Sequence, residues 1–305
     1  MKPAIAVVGS LNMDFVVSVD HLPAQGETVL GRNFQMIPGG KGANQACAAG
    51  RLGGGNADVR MIGRVGYDLF ADHLKASLAA AGVDVSAVHA TKSQPTGVAL
   101  IWVDRSGQNS IVVASGANHE LHAADVEAMR KVFRGARLAL FQLETPLATV
   151  AAALRLGREE GALTMLDPAP AQALSRAVLE QVDILTPNES EALILLERPA
   201  SRVSLEDAPA LSAALAGLGP REVVLKLGDR GCYWNGTCLP AFPVPVKDTT
   251  AAGDTFNAAL AVALAEGRPM LAALKFANAA AAVSVTRMGA QASIPSRTEV
   301  DALLG

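Results

Sequence analysis

The stretch Arg137-Leu-Ala-Leu-Phe-Gln-Leu143, followed by Leu147-Ala-Thr-Val-Ala-Ala-Ala-Leu-Arg-Leu-Gly-Arg-Glu-Glu160 and then Leu163-Thr-Met-Leu166, reads as strand, helix, strand. The outer runs are short and almost continuously apolar, as strands covered on both faces are. The middle segment has helical periodicity. Strand, crossover helix and strand in so short a stretch make a βαβ unit, whose strands pair in parallel. The pattern recurs along the chain. Strands are expected also at residues 4–9, 59–62, 183–185 and 222–227, with helices at 43–52, 69–81, 123–133, 190–196 and 205–218. Such alternation specifies an α/β fold with a mostly parallel central sheet flanked by helices.

Composition fits a single domain of this kind over residues 1–305. Hydrophobic residues make up 50% and charged residues 18%, with Lys+Arg 26 against Asp+Glu 29 and a net charge of −3. That balance supplies a large core and excludes a disordered or collagen-like chain. A pI near 6.0 without any basic block argues against nucleic acid as a partner. The apolar run at residues 4–8 is too short for a signal-peptide core. The Ala-rich residues 258–265 come nearest to a membrane span, but Asp254 and Glu266 close them off well short of about 20 residues. A cytoplasmic protein with no membrane contact is expected. Cys47, Cys232 and Cys238 show neither disulfide arithmetic nor metal-ligand spacing and read as reduced, mostly buried thiols.

Two regions break the alternation. Residues 15–37 have β character, punctuated by Pro23, Gly26 and Gly31, and contain no helix. Residues 97–103 and 110–114 flank Asp104-Arg105-Ser106-Gly107, a hairpin signal. Together these regions are expected to form a small antiparallel sheet inserted into the main domain, with lid segments at about 12–38 and 96–115. Both faces of the second region are apolar: Ala99, Ile101 and Val103 on one, Val98, Leu100 and Trp102 on the other. Cover is therefore expected on both faces, by a site, by another subunit, or by the core of an ordinary hairpin.

The chemistry concentrates in Asp248-Thr-Thr-Ala-Ala-Gly-Asp254-Thr-Phe256, small residues leading into an Ala/Leu helix expected to be amphipathic. The first turn of a helix presents free amides and the positive end of the dipole, and Gly and Ala let an anion approach them. Asp254 stands where that helix begins. It is either a first-turn carboxylate or a base that takes the proton of an attacking hydroxyl in phosphoryl transfer. No Gly-x-x-x-x-Gly-Lys-Ser/Thr occurs, so a Walker-type P-loop is excluded. A second glycine cluster, Pro38-Gly-Gly-Lys41-Gly-Ala-Asn44-Gln-Ala46, permits a hinge and offers Lys41 and Asn44 as donors to hydroxyl oxygens. A glycine turn with a solvated lysine is the plain alternative.

These two segments, in this order and separation, resemble the paired signatures of the ribokinase-like carbohydrate kinase family. The likeness runs through nearly the whole chain. It includes Gly9-Ser-Leu-Asn12-Met-Asp14, Gly26-Glu-Thr28, Gln142-Leu-Glu144-Thr-Pro146 and Thr186-Pro-Asn188-Glu-Ser-Glu191. It also includes Leu227-Gly-Asp-Arg-Gly231 and Thr286-Arg-Met-Gly-Ala-Gln291.

The resemblance implies ATP-dependent phosphorylation of D-ribose at O5. It makes Asp254 the catalytic base and the amides of Ala251, Ala252 and Gly253 an anion hole. Sugar binding falls to Asn12, Asp14, Gly40, Lys41, Gly42, Asn44 and Glu144, together with Asp254 itself. The nucleotide falls to Asn188, Lys226, Gly228, Asp229, Arg230, Gly231 and Gly253, with Asn278 near the adenosine. Mg2+ is expected at Asn188 and Glu191, partly through water, although the two also fit a helix-capping pair. A K+ activator is implied at Asp248, Thr250, Ser284, Arg287, Gly289 and Ser293, mostly through carbonyls. The family's lids pack on each other, which implies a homodimer. Kinases of deoxyribose, fructose, 2-keto-3-deoxygluconate or nucleosides, and a sugar or nucleotide sensor without catalysis, are the competing readings.

Overall fold

The computed structural model describes residues 2–105 and 108–305. The chain opens with β1 (Ala4–Val8), β2 (Asn12–Ser18), β3 (Arg32–Gly39), α1 (Lys41–Gly53), β4 (Asp58–Gly66), α2 (Leu69–Ala80) and β5 (Val83–Thr91). It continues with β6 (Gly97–Val103), β7 (Asn109–Ala114), α3 (Ala123–Ala128), β8 (Ala136–Phe141), α4 (Leu147–Glu159), β9 (Leu163–Leu166), α5 (Arg176–Leu179), β10 (Ile184–Leu185) and α6 (Glu189–Leu195). The last third holds α7 (Ala208–Ala216), β11 (Glu222–Val223), β12 (Leu225–Lys226), β13 (Cys232–Trp234), β14 (Thr237–Leu239), α8 (Ala252–Ala265), α9 (Met270–Ser284) and α10 (Arg297–Leu304).

Seven strands form one sheet in the order β11-β10-β9-β8-β1-β4-β5. Every neighbouring pair is parallel. Successive side chains of a strand point to opposite faces, so β1 feeds two cores. Ile5 and Val7 pack with α1, α2, α8 and α9, while Ala6 and Val8 pack with α3, α4, α6 and α7. Among the described residues no helix is long and apolar enough to cross a membrane. The three cysteines are free, Cys47 and Cys232 buried and Cys238 exposed.

Several elements differ from the sequence expectation. Residues 222–227 divide: β11 stays in the main sheet, and β12 turns off into a three-stranded antiparallel sheet with β13 and β14. The helix after Gly253 is not amphipathic. From Asp254 to Ala263 every residue of α8 is buried, since the helix lies in the core beside α1 and α9 and has no solvent face to make polar.

The four-stranded sheet β3-β2-β6-β7 is mixed rather than antiparallel. Its outer pairs are antiparallel, but β2 and β6 run parallel. Each of these two strands leaves the same end of the main sheet, β2 after β1 and β6 after β5, so they share a direction. Ser106 and Gly107 of the expected hairpin turn lie outside the described residues. Phe15 stacks on Phe34 and meets Phe70 of α2 edge-on at 5.5 Å, which covers part of one face. Leu100, Val112 and Val113 stay exposed, so one chain does not supply the cover expected for both faces.

Candidate active site

In an open parallel sheet, ligands collect beyond the carboxyl ends of the strands. Several of the expected site residues gather there, beside Gly9 and Ser10. Gly9 and Ser10 follow β1, Glu144 follows β8, and Asn188 and Glu191 follow β10. Lys41 opens α1 after the Gly39-Gly40 turn, and Asp254 lies in the first turn of α8. Lys41, Glu191, Lys226, Ala251, Gly253 and Asp254 all line one cleft of about 300 Å3.

Asp254 is 6% exposed and has an amide donor on each oxygen. Asn44 Nδ2 donates to Oδ2 at 3.1 Å and Gln45 Nε2 to Oδ1 at 3.0 Å. Gln45 Nε2 also donates to Asp167 Oδ2 at 3.0 Å, and Lys226 Nζ donates to Asp167 Oδ1 at 2.8 Å. Burial pushes the Asp254 carboxyl above its usual range; Lys41 pulls it back and Asp167 pushes it further up. Burial alone would strip Lys41 of its charge, but Asp254, Asp167, Glu144 and Glu191 outweigh it and hold the ammonium above its usual range. A buried carboxylate held beside an ammonium that keeps its charge suits proton removal near a phosphoryl group.

Where sugar binding is expected, Asp14 on β2 is 9% exposed, and its carboxylate has no hydrogen-bond donor among the described residues. Burial first, then the Glu144 and Asp254 charges, push its carboxyl up to about 7. A buried carboxylate with free lone pairs is a waiting acceptor for hydroxyl groups. Glu144 is half-buried, taking the Ser10 hydroxyl at 2.5 Å and the Lys41 amide at 3.0 Å. Asn12 is pinned by Asn118, whose Nδ2 donates to Asn12 Oδ1 at 2.8 Å and to the Leu11 carbonyl at 3.1 Å. Glycines make the room. Gly40 adopts φ 88°, a left-handed conformation that strains any side chain. A Cβ on Gly42 would sit 2.6 Å from the Gly9 carbonyl carbon.

On the side where the nucleotide is expected, a second cavity of about 320 Å3, mostly apolar, adjoins the cleft. Gly228, Asp229, Gly231, Phe242, Val246 and Asn278 are among its walls. Asn278 Nδ2 donates to the Leu239 and Pro240 carbonyls, each at 3.2 Å, and so ties α9 to the loop after β14. Arg230 departs from expectation. Its guanidinium turns away to Glu189 at 2.5 Å and the Val203 carbonyl at 3.0 Å, where it braces α6.

Asn188 and Glu191 form a reciprocal cap on α6. The Glu191 amide donates to Asn188 Oδ1 at 2.8 Å, and the Asn188 amide to Glu191 Oε2 at 2.7 Å. The cap does not remove the pair from the site, since Asn188 and Glu191 also line the cleft. Burial raises the Glu191 carboxyl, with Lys226 opposing and Asp167 reinforcing the shift. Among the described residues no three His, Cys, Asp or Glu side chains cluster as a metal cage. The oxygen donors of Glu191 and Asn188, side by side on the cleft, are of the kind that holds Mg2+ through its waters.

Ala251 caps α8 with φ 58°, a strained conformation for alanine. The Ala252 amide donates to the Thr249 carbonyl at 3.2 Å, whereas the Ala251 and Gly253 amides have no backbone acceptor among the described residues. The preceding loop meets the loop after α9. Asp248 Oδ2 takes the Gly289 amide at 2.7 Å, and Oδ1 takes the Thr250 hydroxyl at 2.6 Å and amide at 2.9 Å. Burial opposes ionisation of Asp248, but these three donors win and hold its carboxyl below the usual range. The Ser284 carbonyl accepts from the Arg287 amide at 3.2 Å, Ser293 Oγ donates to the Ala290 carbonyl at 2.8 Å, and the Arg287 guanidinium pairs with Glu299. One fixed negative charge among carbonyl-bearing loop ends is a donor set that fits a large monovalent cation.

Sequence reasoning assigned no role to Asp167, Gln45, Gln142 or Asn118. Asp167 carried one usable signal, a charged residue directly after the apolar run at residues 163–166.

Known proteins resemble the chain over nearly its full length. The pfkB family carbohydrate kinase model matches residues 2–297. The ribokinase of Haemophilus influenzae is 41% identical over 308 residues, covering 98% of this chain and 97% of that protein. The Bacillus subtilis ribokinase is 42% identical over 304 residues, covering 98% and 99%. The structure of the Arabidopsis thaliana ribokinase complexed with ribose and ATP is 33% identical, covers 100% of this chain and 99% of that one, and superposes with a TM-score of 0.91. With fold and full-length identity in accord, the chain belongs to the pfkB family of carbohydrate kinases, among its ribokinases.

Proposed function

We propose that the protein transfers the γ-phosphoryl group of ATP to O5 of D-ribose, with Asp254 as the base. The observation that carries this reading is the single cleft in which buried, doubly hydrogen-bonded Asp254 faces Lys41, the open Gly253 amide and Lys226. The Arabidopsis relative was solved with ribose and ATP, the two substrates the reading needs.

Asp14, Asn12 and Asn44 receive and orient the sugar hydroxyls, and Gly39 and Gly40 let the second sheet close as a lid over them. Closure excludes water from the transfer. Asp254 takes the O5 proton as O5 bonds to the γ-phosphorus; the bond from that phosphorus to the β–γ bridging oxygen breaks, and ADP leaves with the electron pair. Lys41 and the amides at the start of α8 hold the charge that develops on the phosphoryl oxygens. The adenine occupies the apolar cavity beside Asn278.

Mg2+ bound with the nucleotide, facing Asn188 and Glu191, would neutralise phosphate charge. K+ at Asp248, Thr250, Ser284, Arg287, Gly289 and Ser293 would order the loop that carries Ala251. ADP release with MgATP is measured over ribose, 2-deoxyribose, fructose, 2-keto-3-deoxygluconate and adenosine, with and without K+. Ribose-dependent, K+-stimulated turnover is expected. Preference for another acceptor would overturn the sugar assignment, and equal rates with K+ and a large organic cation would overturn the cation site.

A further inference from the structure

We propose that Asp167 is a positioning residue for the transfer, tying the base Asp254 to the phosphate-side lysine Lys226 through the single amide nitrogen of Gln45; this rests on the kinase reading above. Gln45 is fully buried on α1, and its Nε2 lies 3.0 Å from Asp254 Oδ1 and 3.0 Å from Asp167 Oδ2. An amide nitrogen carries two hydrogens, one for each carboxylate. Gln142 Nε2 donates to Gln45 Oε1 at 2.6 Å, which fixes the amide with its nitrogen toward the two acids. A flipped Gln45 would turn its oxygen on both carboxylates and lose every one of these bonds.

Asp167 is 3% exposed, and its amide donates to the Phe141 carbonyl at 2.9 Å, so its backbone is set by the ends of β8 and β9. Its second oxygen holds Lys226 Nζ at 2.8 Å. Lys226 lines both the phosphate cleft and the apolar cavity. One hydrogen-bonded chain thus runs from the nucleotide side to the base. The charged groups facing Asp254 are Lys41 of α1, Asp14 of β2 and Asp167; those facing Asp167 are Lys226, Lys41, Glu191 and Asp254. Asp167 raises the Asp254 carboxyl by its charge, whereas the Gln45 donor lowers it.

Those opposite effects supply the test. Asp167→Asn removes the charge and keeps the shape, and Gln45→Met removes the donor and keeps every carboxylate. The Asp254 carboxyl is followed by 13C NMR in the ligand-free protein, assigned by its loss in Asp254→Asn, and kcat and KM are measured in parallel. The Asp254 midpoint is expected to fall in Asp167→Asn and rise in Gln45→Met, while kcat drops about tenfold in both and the sugar KM stays within about twofold. A purely structural role would not move the midpoints in opposite directions. Unmoved midpoints overturn the proposal whether or not the protein turns over ribose, and so does unchanged kcat in an active enzyme. Absence of ribose-dependent ADP release from the wild type counts against the kinase reading alone. If Asp167→Asn does not fold, the Gln45→Met arm decides.

Discussion

Asp14 shows how much one buried side chain can set. Its carboxyl is pushed up to about 7 from 3.8 by burial and by its acidic neighbours. Between those two values the folded protein keeps a proton that the unfolded chain has released. This group's contribution to stability is therefore complete below 3.8, falls as pH rises through the window, and is gone above about 7. Asp14→Asn should raise the melting temperature of the ligand-free protein at pH 8 and change it little at pH 4. Sugar binding needs the ionised form, because only the carboxylate accepts from two hydroxyls at once. Ribose affinity by calorimetry should strengthen roughly tenfold from pH 6 to pH 8 in the wild type and stay flat in Asp14→Asn. Asp254→Asn should lower kcat by about a thousandfold with ribose affinity retained, since general-base catalysis is worth roughly 10²–10⁴. Asp14 was named only through the family resemblance, whereas Lys41, Asn44 and Asp254 were legible because each sits in a short local pattern with a chemical rationale. Asp167 was not, since the bonds that define it reach 122 residues back to Gln45 and 59 residues on to Lys226.

At the scale of elements, the junction of β3 with α1 separates function from stability in two neighbouring glycines. A Cβ on Gly39 would come 2.1 Å from Asp14 Oδ2, the free end of a side chain that can rotate away. Gly39→Ala should therefore fold normally yet raise the ribose KM roughly tenfold, the loss of one hydrogen-bonding carboxylate, with the ATP KM unchanged. A Cβ on Gly42 would meet the Gly9 carbonyl carbon and the Ser10 nitrogen at 2.6 Å, and neither backbone atom can step aside. Gly42→Ala should cost about 1–3 kcal/mol of stability in chemical denaturation. If the two variants lost stability equally, the close approach of α1 to the end of β1 would carry no special role. Elements buried on both faces, such as β1, β8 and β9, were readable from their apolar runs. β5 was not, because an edge strand with Asp84, Ser86 and His89 turned to solvent breaks such a run. α8 was placed correctly, but its burial on all sides follows from the packing of α1 and α9, which no local window contains.

For the whole molecule the open question is what covers the second sheet. β7 is an edge strand whose Ile111, Val112 and Val113 are exposed, Val112 at 55%, and Phe34, Met36 and Leu100 add apolar surface on the same sheet. A long apolar edge left bare is a template for aggregation, and natural proteins blunt or cover such edges. Neither remedy occurs within the described part of one chain: β7 offers no charged residue among Asn109-Ser-Ile-Val-Val-Ala114, and no helix packs along it. A second copy presenting the same sheet would bury both edges by one symmetric contact. The protein should accordingly sediment as a dimer at micromolar concentration. Val112→Asp places a charge in that contact and far from the core strands, so it should yield a monomer with unchanged circular dichroism. Because the same sheet carries Asp14, the monomer should also bind ribose more weakly than the dimer. A wild-type monomer would leave the apolar edge unexplained and remove the pairing, while a dimer untouched by Val112→Asp would move the contact to another face.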